Sequence, residues 1–399
     1  MNNTENQADI RLLQSLTLRN VLSFGPDTPP LELNALNVLI GANGSGKSNL
    51  IDCVGLFQSA PEKLAEPIRT GGSVREWLWK GDKNAVAHVE AVVTNGLKTP
   101  LRHWFAFRET NLRFELNDER IENAHAAPGK DSPYLYFGYR FGNPMISVIG
   151  KNERKLQRET IDPESSILSQ RIDPDQYPVL AYLGDSYKRI KLYREWAFGR
   201  ANPVRDWQST AAPNDYLTST MDNMALMLSR LRGYPAIKNR LRELFDNLYE
   251  GITDIDVQVY GGQMQVYIQE QRGFLIPASR LSDGTLRFLS LLIILLHPEP
   301  PPLICIEEPE LGLHPDAVVA IGKLIKEAST RTQLIVTTHS RAMIDAFQES
   351  PEDVVVVHKE DGATIMERLD ATELSGFLAD YSLSNLWSSG DIGGNRWSN

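Results

Sequence analysis

The sequence predicts an α/β fold: a core of apolar strands and helices that carries an antiparallel β-rich part and an inserted helical part. Three observations predict it. The uncharged run Leu36–Ile40 leads into Gly41-Ala-Asn-Gly-Ser-Gly-Lys-Ser48, and apolar Leu50, Val54 and Phe57 then recur at helical spacing. From about 73 to 160, short runs rich in aromatic and β-branched residues are separated by turn residues. Two more apolar runs, Leu303–Ile306 and Leu334–Thr338, end directly on ionisable side chains.

In chain order, residues 10–40 alternate in strand fashion around the turn signals Phe24-Gly-Pro-Asp and Thr28-Pro-Pro. The runs Val86–Val93, Arg102–Arg108, Leu112–Leu116, Tyr134–Phe141 and Met145–Ile149 read as antiparallel strands laid against the core. Residues 184–250 read as helical. Met224, Met227, Leu228 and Leu231 form one stripe, and Ile237, Leu241, Leu244, Phe245 and Leu248 form another after the break at Gly233-Tyr-Pro235. Strand patterns follow at Thr253–Tyr260 and Gln263–Gln269, joined through Gly261-Gly262. The expected parts are 1–72 and 275–399 for the two halves of the core, 73–183 for the β-rich part and 184–274 for the insertion.

Composition narrows the function classes. A chain of 399 residues with 42% hydrophobic content can bury a large core. A net charge of −10 disfavours a whole-protein nucleic-acid or membrane binder. The start is polar, unlike a signal peptide, and the apolar run Phe288–Leu296 is too short to span a bilayer. Cys53 and Cys305 each sit in an apolar segment, which reads as reduced core thiols in a cytoplasmic protein.

Strand, glycine-rich loop and helix are the context of a phosphate-binding loop. Glycines let consecutive N–H groups of Asn43, Gly44, Ser45, Gly46, Lys47, Ser48 and Asn49 converge, and the helix adds its positive end. Lys47 supplies charge for β and γ phosphates, and the Ser48 hydroxyl is a ligand for Mg²⁺. Carboxylates at the end of a neighbouring strand have two standard tasks: holding the metal, assigned to Glu307, and polarising the attacking water, assigned to Glu308. His339 at the end of the next apolar strand is placed to sense a γ-phosphate. Ser282 and Gly284, opening the apolar helix Leu286–Leu296, make a second anion site.

These residues, in this order, resemble the ATP-binding-cassette type of ATPase. Gly41–Ser48 resembles Walker A, Leu281-Ser-Asp-Gly-Thr285 the signature motif, Leu303–Glu308 Walker B with its catalytic glutamate, and His339 the switch histidine. Gly46-Lys-Ser-Asn-Leu-Ile-Asp52 and Glu308-Pro-Glu-Leu-Gly-Leu-His-Pro315 are similar to the soluble SMC, RecF and overcoming-lysogenization-defect (OLD) group. The ending Ser382–Gly390 looks like that of stand-alone bacterial ATPases of the group. The chain departs from the pattern where Glu307 replaces an Asp, Asp283 replaces a Gly, and the Arg that the upstream motif usually carries near Leu22 is in doubt; no glutamine loop is evident. The resemblance implies an ATP- and Mg²⁺-dependent enzyme working as a head-to-head homodimer. The signature motif of one copy would close over the nucleotide of the other. His314 either contacts the opposite site or simply precedes a helix opened by Pro315.

What such a switch controls is less legible. The stretch after His339 is expected to be too short for the toprim nuclease domain that relatives carry. That points to a separately encoded effector, such as a nuclease, in anti-phage defence. The alternative is a RecF-like DNA repair ATPase acting directly on DNA. Lys188, Arg189, Lys191, Arg194, Arg200 and Arg205, interleaved with Tyr193, Trp196 and Phe198, could grip nucleic acid. Equally, they could form a solvated face or a protein interface. A non-enzymatic scaffold and a transporter motor are further readings, the latter without a membrane-coupling segment.

Overall fold

The computed structural model describes residues 9–393 except 83, 97–98, 141–142, 150–153, 157–160, 247–248, 250 and 272. At its centre is a six-stranded sheet in the order Lys191–Tyr193, Leu303–Glu307, Gln333–Thr338, Leu36–Ile40, Val354–Glu360, Ala363–Arg368. Its first five strands are parallel, with Glu307 beside Thr337 and Thr338 beside Ile40. The last strand returns antiparallel through Asp361 (φ +48°) and Gly362 (φ +84°), a pair suited to the doubly left-handed turn of a tight hairpin.

Alternation along these strands feeds two separate cores. Leu39, Leu303, Cys305 and Ile335 face one core with the helix Lys47–Ser59, the helix Pro178–Lys188 and the large antiparallel sheet. Val38, Ile40, Ile304, Ile306 and Val336 face the other, with helices Asp283–Leu295, Pro315–Ala328 and Met224–Arg232. Burying both faces explains why the strands read as uncharged runs rather than as clean alternation. Cys53 and Cys305 are both free and buried in the first core.

The antiparallel sheet has eight strands in the order Leu31–Glu32, Leu13–Arg19, Ala87–Val93, Leu101–Thr110, Arg113–Asn123, Leu135–Arg140, Asn143–Ile146, Arg154–Lys155. The expected β-rich part is therefore present, and the first strand of the chain joins it. The expected end of one run at Phe141 falls outside the described residues, as do the first residues of the chain and Leu248. Tyr187, on the helix Pro178–Lys188, ties this sheet to the core: its hydroxyl lies 3.1 Å from Nδ1 of fully buried His103.

The region expected to be helical from 184 to 250 is only partly so. Helices run Pro178–Lys188, Met224–Arg232 and Pro235–Asp246, with both Met/Leu stripes facing the core as expected. Between them Lys191–Tyr193 forms the edge strand beside Leu303–Glu307, and 194–223 runs largely irregularly. Gly199, Pro203 and Pro213 deny that stretch a continuous helix, and a strand of three residues is too short to show a period. A third, four-stranded sheet gathers Gln208–Ser209, Ile252–Tyr260, Gln263–Glu270 and Leu275–Pro277, its main hairpin closed by Gly261 and Gly262, both at positive φ.

Candidate functional site

The fully buried strand Leu36–Ile40 delivers the loop 41–46 to the carboxyl end of the parallel sheet, and the helix Lys47–Ser59 starts from it. Gly46 has φ +117°, and a Cβ there would strike Thr364 Oγ1 and lie 2.8 Å from Ser23 Oγ, so only glycine fits. The Thr364 hydroxyl lies 2.6 Å from Ser45 O and 2.7 Å from Ser23 Oγ, and Asn49 Nδ2 donates to Ser23 Oγ at 2.7 Å. Gly44, at φ +77°, faces open space, and Asn43 is exposed. Ser45 Oγ is buried in the loop without a hydrogen-bond partner, which leaves a polar group to be satisfied there. Lys47 folds back, its Nζ donating to Gly41 O at 2.9 Å and Ala42 O at 3.1 Å. Burial pushes the Lys47 pKa down to about 8, although Glu308, Glu307 and Glu310 pull the other way.

Across from the loop, Glu307 ends its strand and accepts from Ser48 Oγ at 3.1 Å. Its other oxygen accepts from Arg194 Nε at 2.6 Å, and its backbone oxygen accepts from Trp196 Nε1 at 2.7 Å. Glu308 takes a left-handed φ of +43°, rare for a non-glycine residue. Its N–H, near Thr337 O (3.0 Å) and Thr337 Oγ1 (3.2 Å), holds that conformation. Strain kept up by surrounding hydrogen bonds is a mark of functional positions. His339 Nε2 lies 3.6 Å from the Glu308 carboxylate, and burial followed by the Lys47 charge lowers the imidazole pKa, with Glu308 opposing. Glu310 anchors the end of the histidine strand, accepting from Thr338 Oγ1 at 2.6 Å and from His339 N at 2.9 Å.

Thus Lys47, Ser48, Glu307, Glu308 and His339 gather at one sheet end. Ser282 and Gly284 stand apart. Ser282 caps the helix Asp283–Leu295, accepting from Thr285 N at 3.1 Å, and a Cβ on Gly284 would lie 2.6 Å from Gly312 O. Among the described residues, no hydrogen bond or ion pair joins Ser282 or Gly284 to the loop 41–48. His314 caps the helix Pro315–Ala328 and is largely exposed.

Reading the sequence alone gave no role to Glu310 or to the Ser23–Asn49–Thr364 cluster, and placed two arginines only within the basic stretch. Arg194 reaches Glu307 and, at 2.5 Å, Asp52. Arg205 is buried and donates from Nε to Phe198 O at 2.7 Å and from Nη1 to Leu281 O at 2.6 Å; it also pairs with Asp283. Lys191 lies over the Tyr216 ring. Much of the basic stretch considered as a nucleic-acid grip is thus committed internally. Tyr193 and Phe198 lie in the core, with Trp196 packed against it. Among the described residues, no cluster of three or more His, Cys, Asp or Glu could hold a metal unaided, and no helix is long and apolar enough to cross a membrane.

Residues 36–86 and 148–345, more than half the chain and including both strand ends of this site, match the family described as "AAA domain, putative AbiEii toxin, Type IV TA system". The chain belongs to that family. It is an ATPase, and members of this AAA-domain family bind the nucleotide that the loop geometry suits. Its fold is that of SMC heads. An Smc head solved bound to the C-winged-helix domain of ScpA aligns with TM-score 0.57 at 16% identity, over 91% of this chain and 99% of that one. A second, from Pyrococcus furiosus, with an extended coiled coil and the C-terminal domain of ScpA, aligns with TM-score 0.51 at 15% identity over 92% and 99%. At these identities the likeness is one of fold: an α/β ATPase core of the ABC type with added antiparallel sheet, as the sequence predicts. No curated protein matches the chain.

Proposed function

We propose that this ATPase is a dimeric switch of the OLD-like kind, closed by ATP and Mg²⁺ and opened by hydrolysis, that controls a separately encoded effector in anti-phage defence. The observation that carries the switch is the division of the site. The loop, both carboxylates and His339 share one sheet end, while Ser282 and Gly284 stand on a separate helix start, Ser282 bonded to Thr285 and Gly284 lying against Gly312. A second copy would supply the missing clamp, with its Ser282 and Gly284 facing the γ-phosphate held by Lys47. The defence role is supported by the family's description, which names a type IV toxin–antitoxin system. A partner such as a nuclease would be recruited by the closed state.

The donor set suits magnesium. Ser48 Oγ and Glu307 Oε2 lie 3.1 Å apart as hard oxygens, and this ion keeps waters and phosphate oxygens for its remaining positions. When bound, it neutralises charge on the β and γ phosphates. The chain's own part is then positional. Lys47 leaves the Gly41 and Ala42 carbonyls for the phosphates. Ser45 gains a partner for its hydroxyl. Glu308 accepts a hydrogen bond from the attacking water, and His339 orients that water and the γ-phosphate.

Mixing tests the shared site. Lys47→Ala and Ser282→Arg copies should each be inactive alone, yet regain up to about a quarter of wild-type turnover when mixed, because one of the two sites in a mixed dimer is intact. No recovery on mixing, with both variants folded, would rule out the divided site.

Lys47 also predicts a pH dependence. The free protein loses its Lys47 proton near pH 8, whereas bound polyphosphate favours the protonated form. The phosphates are already ionised there, so affinity should fall as pH rises through that value, by up to about tenfold per unit. Equilibrium binding of a fluorescent ATP analogue from pH 7 to 9.5 measures it, on the order of two pH units across the transition.

A further inference from the structure

The two acidic residues that depart from the family pattern, Glu307 and Asp283, are each bonded to an arginine, and both arginines come from the segment 194–205. At one end Arg194 follows the edge strand Lys191–Tyr193, whose parallel register sets Tyr193 beside Ile306 and so brings position 194 to Glu307. Its guanidinium spans Glu307 (2.6 Å) and Asp52 (2.5 Å). At the other end Arg205 holds Asp283, the first residue of the signature helix Asp283–Leu295, and the Leu281 carbonyl just before its cap. Between them Trp196 donates to Glu307 O at 2.7 Å, and its own carbonyl accepts from Arg287 Nη2 at 3.4 Å, with the Arg287 guanidinium 5.3 Å from the Trp196 ring. Arg287 belongs to the signature helix. The segment is therefore a strap from the metal-site carboxylate to the signature motif.

Arg194 is a cation resting on the carboxylate that a second cation needs. Glu307 has one longer arm than an aspartate, and its Oε1 is on Arg194 while Oε2 is on Ser48. A cleft of about 770 Å³ lined by Arg194, Asp52, Glu307, Leu22 and Trp77 opens beside the pair, and the Arg194 side chain is 32% exposed, so the guanidinium has room to move. Asp52 offers it a place to stay.

We infer that Arg194 is a positioning residue that holds Glu307 and competes with magnesium for it, so that metal loading shifts the guanidinium toward Asp52 and pulls on the strap to the signature helix. This rests on the ATP and magnesium reading above. Two positive centres cannot share one carboxylate without mutual repulsion, so metal affinity is set by how firmly Arg194 is drawn away.

The test uses the full chain and a fluorescent ATP analogue, bound first in EDTA and then across a magnesium titration. Arg194→Gln should lower the half-saturating magnesium concentration at least about fivefold. Asp52→Asn, which leaves Arg194 with Glu307 alone, should raise it, and that rise should vanish in the Arg194→Gln/Asp52→Asn double variant. An unchanged or raised half-saturation in a cooperatively melting Arg194→Gln protein overturns the inference. Should that variant not fold, a fall in Asp52→Asn overturns it equally. If the wild-type chain binds no nucleotide, the ATP reading fails with it; if it binds and only the magnesium curves fail to move, the Arg194 inference fails alone.

Discussion

Glu308→Gln is expected to cut ATP turnover by at least about 100-fold while leaving nucleotide binding intact. The substitution keeps shape and removes only the charge that would draw a proton from water. The backbone argues that the position is built for this. Glu308 sits at φ +43°, at a cost of roughly 1–3 kcal/mol, and hydrogen bonding of its N–H to Thr337 holds it there. Its neighbour in sequence is already engaged, since Glu307 is bonded to Ser48 and Arg194. Glu310 is engaged too, with Thr338 and His339 N. Glu308 alone of the three carboxylates keeps a half-exposed side chain facing His339, at 3.6 Å. Phosphate release measures the loss, and gel filtration in ATP should show dimers accumulating, because closure no longer ends in hydrolysis. Turnover within a few-fold of wild type would remove Glu308 from the role of water-polarising base.

How much of this arrangement was legible in the sequence depends on the range of the interaction. The loop 41–48 and the carboxylates after Leu303–Ile306 announce themselves because they are local: an uncharged buried strand is punctuated by the residues that its end presents. The parallel sheet then does the assembling, bringing Glu307 beside Thr337 and Thr338 beside Ile40 from distant parts of the chain. Arg194 was not legible, since its partners lie 113 and 142 residues away and the strand before it has only three residues. Read locally it was one more cation in a basic stretch. Charge is visible in a sequence, but its destination is not. The same holds for Thr364, which closes over Gly46 from 319 residues beyond Ser45 and carries no motif at all.

Arg205→Ala should lower stability by roughly 2–4 kcal/mol. Its side chain is 9% exposed and donates to the carbonyls of Phe198, Ala278 and Leu281 as well as to Asp283. Truncation strands those carbonyls in the interior and opens a void where the guanidinium packed. Asp283 behaves differently. Its side chain is 70% exposed, so Asp283→Asn keeps a hydrogen-bond acceptor in water and should cost under about 1 kcal/mol. Urea unfolding of both variants separates the two contributions. A large loss for Arg205 with little for Asp283 means that the arginine works by satisfying backbone carbonyls around the helix start, with the ion pair secondary. Because Leu281 immediately precedes the Ser282 cap, turnover should fall in Arg205→Ala even at temperatures where it remains folded, as the loop that carries Ser282 and Gly284 loses its fixed position. Equal losses in the two variants would instead make the salt bridge itself the support of the signature helix.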